Sequence, residues 1–284
     1  MKSRHLIVGT IDLPKFSTQG GSMSRGVCLL VATALMAPHW AWAQMQPHRA
    51  EYVLRLGTAA NAPRIGTAIQ DITLDCAGWH IKRDVSTEIA LTSSWKISVA
   101  SKLDGEEPRN GNGFRYRIVQ IQNGGQRDTK GKIERTKGEL RADIISPSGP
   151  LHFVLPPPTM MPVAAIGHLV DRLRANAAAF PALMFDAEIF GDAFLVDVSE
   201  LDPGTLRPEL PVDKPVAVPA SRSWPVFMTF TRGREQDQKP LFSVSASVYE
   251  NGVLDRLTVD TGLLKVGADL QKLQMHKTPT CPNS

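Results

Sequence analysis

The chain has 284 residues, of which 42% are hydrophobic, 21% charged and 6% aromatic, a balance that supports a packed core and excludes a disordered or collagen-like chain. Its formal net charge is +4, yet four cations (Lys2, Arg4, Lys15, Arg25) and one anion (Asp12) fall within residues 1–43. Without that segment 28 basic residues face 27 acidic ones, net +1, so the basic balance gives no ground for a nucleic-acid or acidic-lipid partner.

Residues 23–43 read as a secretory signal peptide. Ser24 and Arg25 form a short positive start, Val27–Ala37 is apolar, and Ala41-Trp42-Ala43 is a small-x-small site that predicts cleavage between Ala43 and Gln44. The apolar stretch ends at Pro38, and neither it nor any later segment reaches the roughly 18 apolar residues of a membrane helix. Export to the periplasm without a membrane span is therefore expected. Residues 1–22 carry no periodicity and leave both Met1 and Met23 open as the start. Arg25-Gly26-Val27 lacks the pattern of a lipoprotein signal, so no lipid is expected on Cys28. Residues 44–284 are expected to form one domain, in which no internal repeat occurs. It keeps two cysteines, Cys76 and Cys281, an even count in an oxidising compartment that predicts a structural disulfide; there is no C-x-x-C redox motif.

Along this domain the dominant period is two, the signature of strands with one buried face. Tyr52–Leu56 opens the series. Ile72, Leu74 and Cys76 share a face opposite Asp71, Thr73 and Asp75, and Trp95, Ile97 and Val99 lie opposite Lys96 and Ser98. Gly105–Gly113 reads as a polar loop. In Phe114-Arg115-Tyr116-Arg117-Ile118 apolar residues alternate strictly with arginines. Lys132–Thr136 and Leu140–Ile145 continue the pattern. After Pro156-Pro157-Pro158 the period changes: Ile166, Leu169, Val170 and Leu173 recur at helical spacing, predicting one amphipathic helix over about 162–178. A lone helix among antiparallel strands fits the open end of a curled sheet. Ala193–Val198 and Trp224–Thr231 are further strands, separated by a proline-bearing connection over 202–223. Val244, Ala246 and Val248 then alternate with serines up to Asn251-Gly252, which predicts a type I′ hairpin into Val253–Val259. Leu263–Val266 is the last strand predicted.

Few residues suggest chemistry. The histidines outside the leader (His48, His80, His152, His168, His276) are scattered and no H-E-x-x-H occurs, so no metal site follows. His168 with Asp171 on the helix reads as a solvated face. G-x-S-x-G and both phosphate-binding glycine patterns are absent from the sequence, and Ser146 and Ser148 have no base beside them. Asp186 with Glu188, and Asp192 with Asp197, read as solvent-facing strand positions rather than paired catalytic carboxylates. Arg115 and Arg117 alternate with Phe114 and Tyr116, which places cations and rings on opposite faces and denies a stacking platform for nucleic acid. Trp79, Trp95 and Trp224 most economically fill the core, though a β-cavity lined with them would also suit an amphipathic ligand. No cofactor is implied.

The string Asp75-Cys76-Ala77-Gly78-Trp79, answered by Cys281 near the C-terminus, resembles the EipB-type cell-envelope integrity family of Gram-negative periplasmic proteins. His48-Arg49-Ala50-Glu51-Tyr52 is similar to that family's opening strand, and 155–168 to the loop leading into its helix. Ala182–Ser199, Ser223-Trp224-Pro225-Val226 and Val248–Val253 are similar to its later motifs. The resemblance implies a curled antiparallel sheet, a β-spiral, with one helix set against its opening and a disulfide carried onto Cys76 and Cys281. It implies no enzyme activity, a periplasmic role in envelope stability, contact with tetratricopeptide-repeat proteins, and an architecture similar to lipoprotein carriers with an apolar hollow, for which a lipid or lipopeptide is one candidate ligand and whose occupant the resemblance leaves open. The expected function is thus a non-enzymatic scaffold or carrier; a hydrolase of envelope polymer is the alternative.

Overall fold

A computed structural model describes residues 45–282 apart from 91, 93, 95, 190, 209–215 and 234–238. The expected signal peptide, Ala43, Gln44 and Trp95 lie outside the described residues. From its start the described chain runs as a meander through β1 (His48–Leu56), β2 (Arg64–Leu74), β3 (Gly78–Ala90) and β4 (Lys96–Pro108), then β5 (Gly113–Gln122), β6 (Gly125–Thr136), β7 (Glu139–Ser146) and β8 (Gly149–Leu155). Helix α1 (Pro162–Arg174) follows. A second meander comprises β9 (Ala179–Asp186), β10 (Asp192–Glu200), β11 (Ser223–Arg232), β12 (Phe242–Tyr249), β13 (Leu254–Asp260) and β14 (Lys265–Met275). All pairings between strands are antiparallel within a single sheet. β1 pairs with β2 on one side and β14 on the other, so the two meanders join in mid-sheet and the edges are β8 and β9.

The period-two reading holds where it is strictest. In β5, Phe114, Tyr116 and Ile118 are buried while Arg115 and Arg117 are exposed. Two inward rings lie where glycines face them: a Cβ at Gly131 would meet the Tyr116 ring at 2.2 Å, and one at Gly105 the Phe114 ring at 2.7 Å. Only the missing side chains let these rings lie flat on the sheet. Phe185 of β9 packs against both, with centroids 6.3 Å from Phe114 and 5.8 Å from Tyr116. The β9 end of the sheet is therefore rolled under the inner face of β5, and the sheet overlaps itself instead of closing edge to edge.

Helix α1 runs between the two edges. Pro162 starts it, the position where a missing N–H costs nothing. It is shorter than the 162–178 expected because Asn176 takes a left-handed φ of 56°. Its amide bonds to Leu173 O and that of Ala177 to Arg172 O, closing a Schellman motif. Val163 joins the core built around Phe114 and Phe185, and Val170 and Leu173 join the core of β9–β12. Each such buried side chain contributes roughly 1.5–3 kcal/mol.

Several expectations are corrected. The polar loop over 105–113 shrinks to 109–112, because β4 continues to Pro108 with Glu107 facing inward. Cys76 does not share a strand face with Ile72 and Leu74; β2 ends at Leu74 and Cys76 is exposed in the following turn. Asn251 lacks the positive φ that a type I′ turn requires. Gly252 alone is left-handed (φ 84°), its amide bonding to Tyr249 O, which makes a three-residue hairpin loop. The two-residue turns with both φ positive are Asn123-Gly124 and Lys137-Gly138. Leu263 and Leu264 lie in a turn, and the last strand runs from Lys265 to Met275. Val99 is exposed rather than buried. The proline-bearing connection contains a short 3-10 turn, Pro203–Thr205, and then buries Leu206 and Arg207.

Candidate functional site

The β2–β3 turn explains the D-C-x-G-W string physically. Asp75 Oδ1 accepts the amides of Ala77 (2.8 Å) and Gly78 (2.9 Å), folding the turn around one carboxylate. His80 binds Asp75 Oδ2 at 2.8 Å. That bond and the two amides hold the Asp75 carboxyl down at about 2. A Cβ at Gly78 would lie 2.3 Å from Glu107 O and 2.9 Å from Pro108 Cα, so glycine alone permits β3 to approach β4 here. Trp79 packs on the core of Ile72, Ile81 and Phe114. The turn presents Cys76 to the tail, where it forms the expected disulfide with Cys281, Cα atoms 5.5 Å apart. Arg109 clamps the junction, donating twice to Asp75 O (3.0 and 2.8 Å) and once to Cys281 Sγ (3.4 Å).

Beside this junction lies a groove of about 500 Å³ lined by both signs of charge, including His80, Glu106, Arg115, Lys132 and Glu134. Its floor follows a cross-strand rung, His80 opposite Glu106, Glu106 opposite Arg115, and Arg115 opposite Lys132. A second groove of about 420 Å³ runs along the same outer surface among Arg49, Asp71, Lys82, Lys102, Asp104 and Arg117. Opposite charges there neutralise one another at close range, as in Arg49–Asp71 at 3.4 Å and Lys102–Asp84 at 3.2 Å. Such pairs solvate a face and fix strand register more than they stabilise it.

On the inner face Glu107 is 2% exposed. Its Oε2 accepts the Val163 amide at 2.7 Å and its Oε1 the Ala164 amide at 2.8 Å. The α1 N-cap, Met161, offers no side-chain cap, so a residue of β4 supplies the missing acceptors. Burial raises the Glu107 carboxyl to about 7 against the opposing pull of those two amides. Farther along, Asp186 and Glu188 are not solvent-facing. The turn between β9 and β10 is carried under the sheet, and Arg83 Nη1 donates to Glu188, as does Ser101 Oγ at 3.0 Å, while Gln120 Nε2 donates to Glu188 O at 3.0 Å. Asp186 Oδ1 accepts the amides of Glu188 and Ile189, and burial raises its carboxyl. These carboxylates hold the turn in place.

Among the other predicted residues, the structure keeps apart what the sequence kept apart. His152 pairs with Asp143 and His276 with Asp71, and His168 rests edge-on against Phe180. Asp197 is exposed. Sequence reasoning missed Glu107, Arg109 and Arg83. Extending the inward phase of Leu103 through Gly105 reaches Glu107, and that of Ile81 reaches Arg83; Arg109 left no such signal.

The sequence profile of the EipB-like family matches residues 40–277. The chain belongs to the EipB-like family. The EipB-like fold is also seen in a solved β-barrel-like protein of a domain of unknown function from Brucella abortus, 19% identical, with a TM-score of 0.68 over 82% of this chain and 99% of that one. No curated protein matches this EipB-like chain. Among its described residues no helix is long and apolar enough to cross a membrane.

Proposed function

We propose that this EipB-like protein is exported to the periplasm of a Gram-negative cell and supports envelope integrity without catalysis, as a scaffold that engages a protein partner. The observation that carries the reading is the family match across 40–277, joined to the distribution of surface and core. The described grooves lie on the outer, charged surface, whereas the inner face is taken up by the Phe114–Tyr116–Phe185 cluster, α1 and the β9–β10 turn. That favours a scaffold over a carrier of lipid or lipopeptide. The hydrolase alternative has less support, since neither the EipB-like family nor the barrel-like fold is known for enzymatic activity, and Glu188 is committed to Arg83 and Ser101.

Deleting the gene and challenging the cells with detergent and cell-wall antibiotics tests the proposal. Heightened sensitivity, restored by the exported chain, is expected; unchanged tolerance with normal morphology overturns it.

A further inference from the structure

The Cys76–Cys281 bridge lies within reach of a reagent: Cys76 is exposed and Cys281 half-buried. It also lies outside the contacts that fix the two segments it joins. The β2–β3 turn is folded by Asp75, through the amides of Ala77 and Gly78 and the ring of His80, with no part played by sulfur. The end of β14 is fixed through His276, whose amide donates to Pro47 O at 2.9 Å and whose Nε2 lies 2.8 Å from Asp71 Oδ1. Beyond His276, among the described residues, the covalent and hydrogen-bonded ties on 277–282 are the disulfide itself and the bond from Arg109 to Cys281 Sγ.

The two sulfurs have unequal surroundings. Arg109 Nη2 donates to Cys281 Sγ at 3.4 Å, and two bonds to Asp75 O, at 3.0 and 2.8 Å, pin the guanidinium there. The amides of Ala77 and Gly78, which follow Cys76, both go to Asp75 Oδ1, so they are taken up beside that sulfur. The Asp75 carboxylate adds an anion one residue away from it. A neighbouring cation steadies a thiolate and an anion opposes one. Thiol–disulfide exchange runs faster when the departing thiol is the more acidic of the two. Cys281 is therefore the better leaving group, and Cys76 the sulfur open to attack.

We propose that this bridge is a reversible latch on the C-terminal tail, opened by a dithiol protein that attacks Cys76 while Arg109 receives the Cys281 thiolate. The attacking thiolate forms a new bond to Cys76 Sγ. The bond between Cys76 and Cys281 breaks, and its electron pair leaves on Cys281 Sγ. The second thiol of the reductant then displaces Cys76 Sγ, so the protein gains two electrons and two protons and the dithiol is oxidised to its own disulfide. The chain has no C-x-x-C and is the substrate of the exchange, not its catalyst. Opening frees 277–282 and leaves the turn and the seam between β1 and β14 in place, because Asp75 and His276 hold them without sulfur. The turn thus keeps Cys76 presented for closure. The latch goes beyond the scaffold reading and does not rest on it.

The test uses the purified, oxidised protein and a thioredoxin-type dithiol protein, both intact and with its resolving cysteine changed to serine. The serine form should be trapped as a mixed disulfide on Cys76, with Cys281 left open to alkylation, when the adduct is quenched in acid and mapped by peptide mass. The intact form should reduce the bridge with the far-ultraviolet circular dichroism of the strands unchanged. Trypsin should then cut after Lys277 about tenfold faster than in the oxidised protein, as expected of a freed segment. Arg109→Met should slow the reduction by about threefold or more, and Arg109→Lys, which keeps the charge, should restore most of the rate. A purely structural clamp gives the opposite sign, since loosening the junction speeds attack. The wild-type adduct map decides the matter should Arg109→Met fail to fold. An adduct on Cys281, a bridge that resists the dithiol, equal or faster reduction of Arg109→Met, loss of the strand signal on reduction, or unchanged cleavage after Lys277 would each overturn the latch. The deletion phenotype is read separately, so failure here leaves the scaffold reading where it stood.

Discussion

Glu107 on β4 and Val163 on α1 are joined by a 2.7 Å hydrogen bond from amide to carboxylate, although 56 positions separate them in sequence. Together with the bond from Ala164 it anchors the first turn of the helix, and it does so through a carboxyl whose titration burial moves to about 7.

The pH dependence follows from that shift. The folded carboxyl binds its proton more tightly than the unfolded one, whose ordinary value is 4.5. Glu107 therefore contributes stability fully present below about 4.5 and lost as pH rises through about 7. The loss amounts to about 3 kcal/mol at most. Urea denaturation of wild type and Glu107→Gln between pH 4 and 8.5 should give a difference curve that falls with pH and levels above 7.5. A flat difference curve would contradict the assignment.

The disulfide closes a loop with a sequence separation of 205, for which chain entropy sets an upper figure of roughly 5 kcal/mol. Cys76→Ser and Cys281→Ser should lower stability by the same amount, and the double variant by no more than either single one. Thermal unfolding of the three variants under oxidising conditions checks this. Unequal single effects would mean that one cysteine does something beyond the bridge.

Gly78→Ala should be far more damaging than a surface alanine. The new methyl group meets backbone atoms of Glu107 and Pro108, which cannot rotate away, so overpacking of about 3 kcal/mol is expected. The same shift displaces the carbonyl of the residue that caps α1. Equilibrium denaturation is the measure, and a loss below that of an ordinary exposed site would refute the close-approach reading.

Arg207 and Asp269 form a buried pair at 2.6 Å, their side chains 2% and 7% exposed. A Cβ at Gly267 would lie 3.1 Å from the guanidinium carbon, so the glycine makes room for it. Asp269→Leu alone should cost about 3–5 kcal/mol, because it leaves the buried Arg207 charge without its carboxylate; Arg207→Met should cost less, because Asp269 keeps Arg55 at 3.8 Å. The double variant should recover much of that loss. Additive losses in this cycle would show that the pair does not interact.

The sequence made the strand character legible wherever one face is buried and the other wet, as in Phe114–Ile118 and Val244–Val248. It also showed the helix phase and the cysteine pair. Hairpin geometry was less readable. Asn251-Gly252 has the composition of a type I′ turn, but the carbonyl of Asn251 bonds to the Gln46 amide and its side chain to Val253, which fix another backbone shape. Lys137 adopts a left-handed φ with no compositional hint. Glu107 sits in a locally polar run, whereas Asp186 and Glu188 interrupt an apolar one, and the burial of all three arises from segments far away in sequence. Local periodicity has no access to a turn held beneath β3, β4 and β5.

Because β1 is flanked by β14, the middle of the ribbon is also where the first and last described strands meet. A chain threading out amino-terminus first must leave its opening strand half-satisfied until the last residues arrive. The seam is thus a timing device: the centre of the sheet is completed only when β14 has emerged. Linking the two termini and cutting between β8 and β9 would turn the molecule into one uninterrupted zigzag with no such delay.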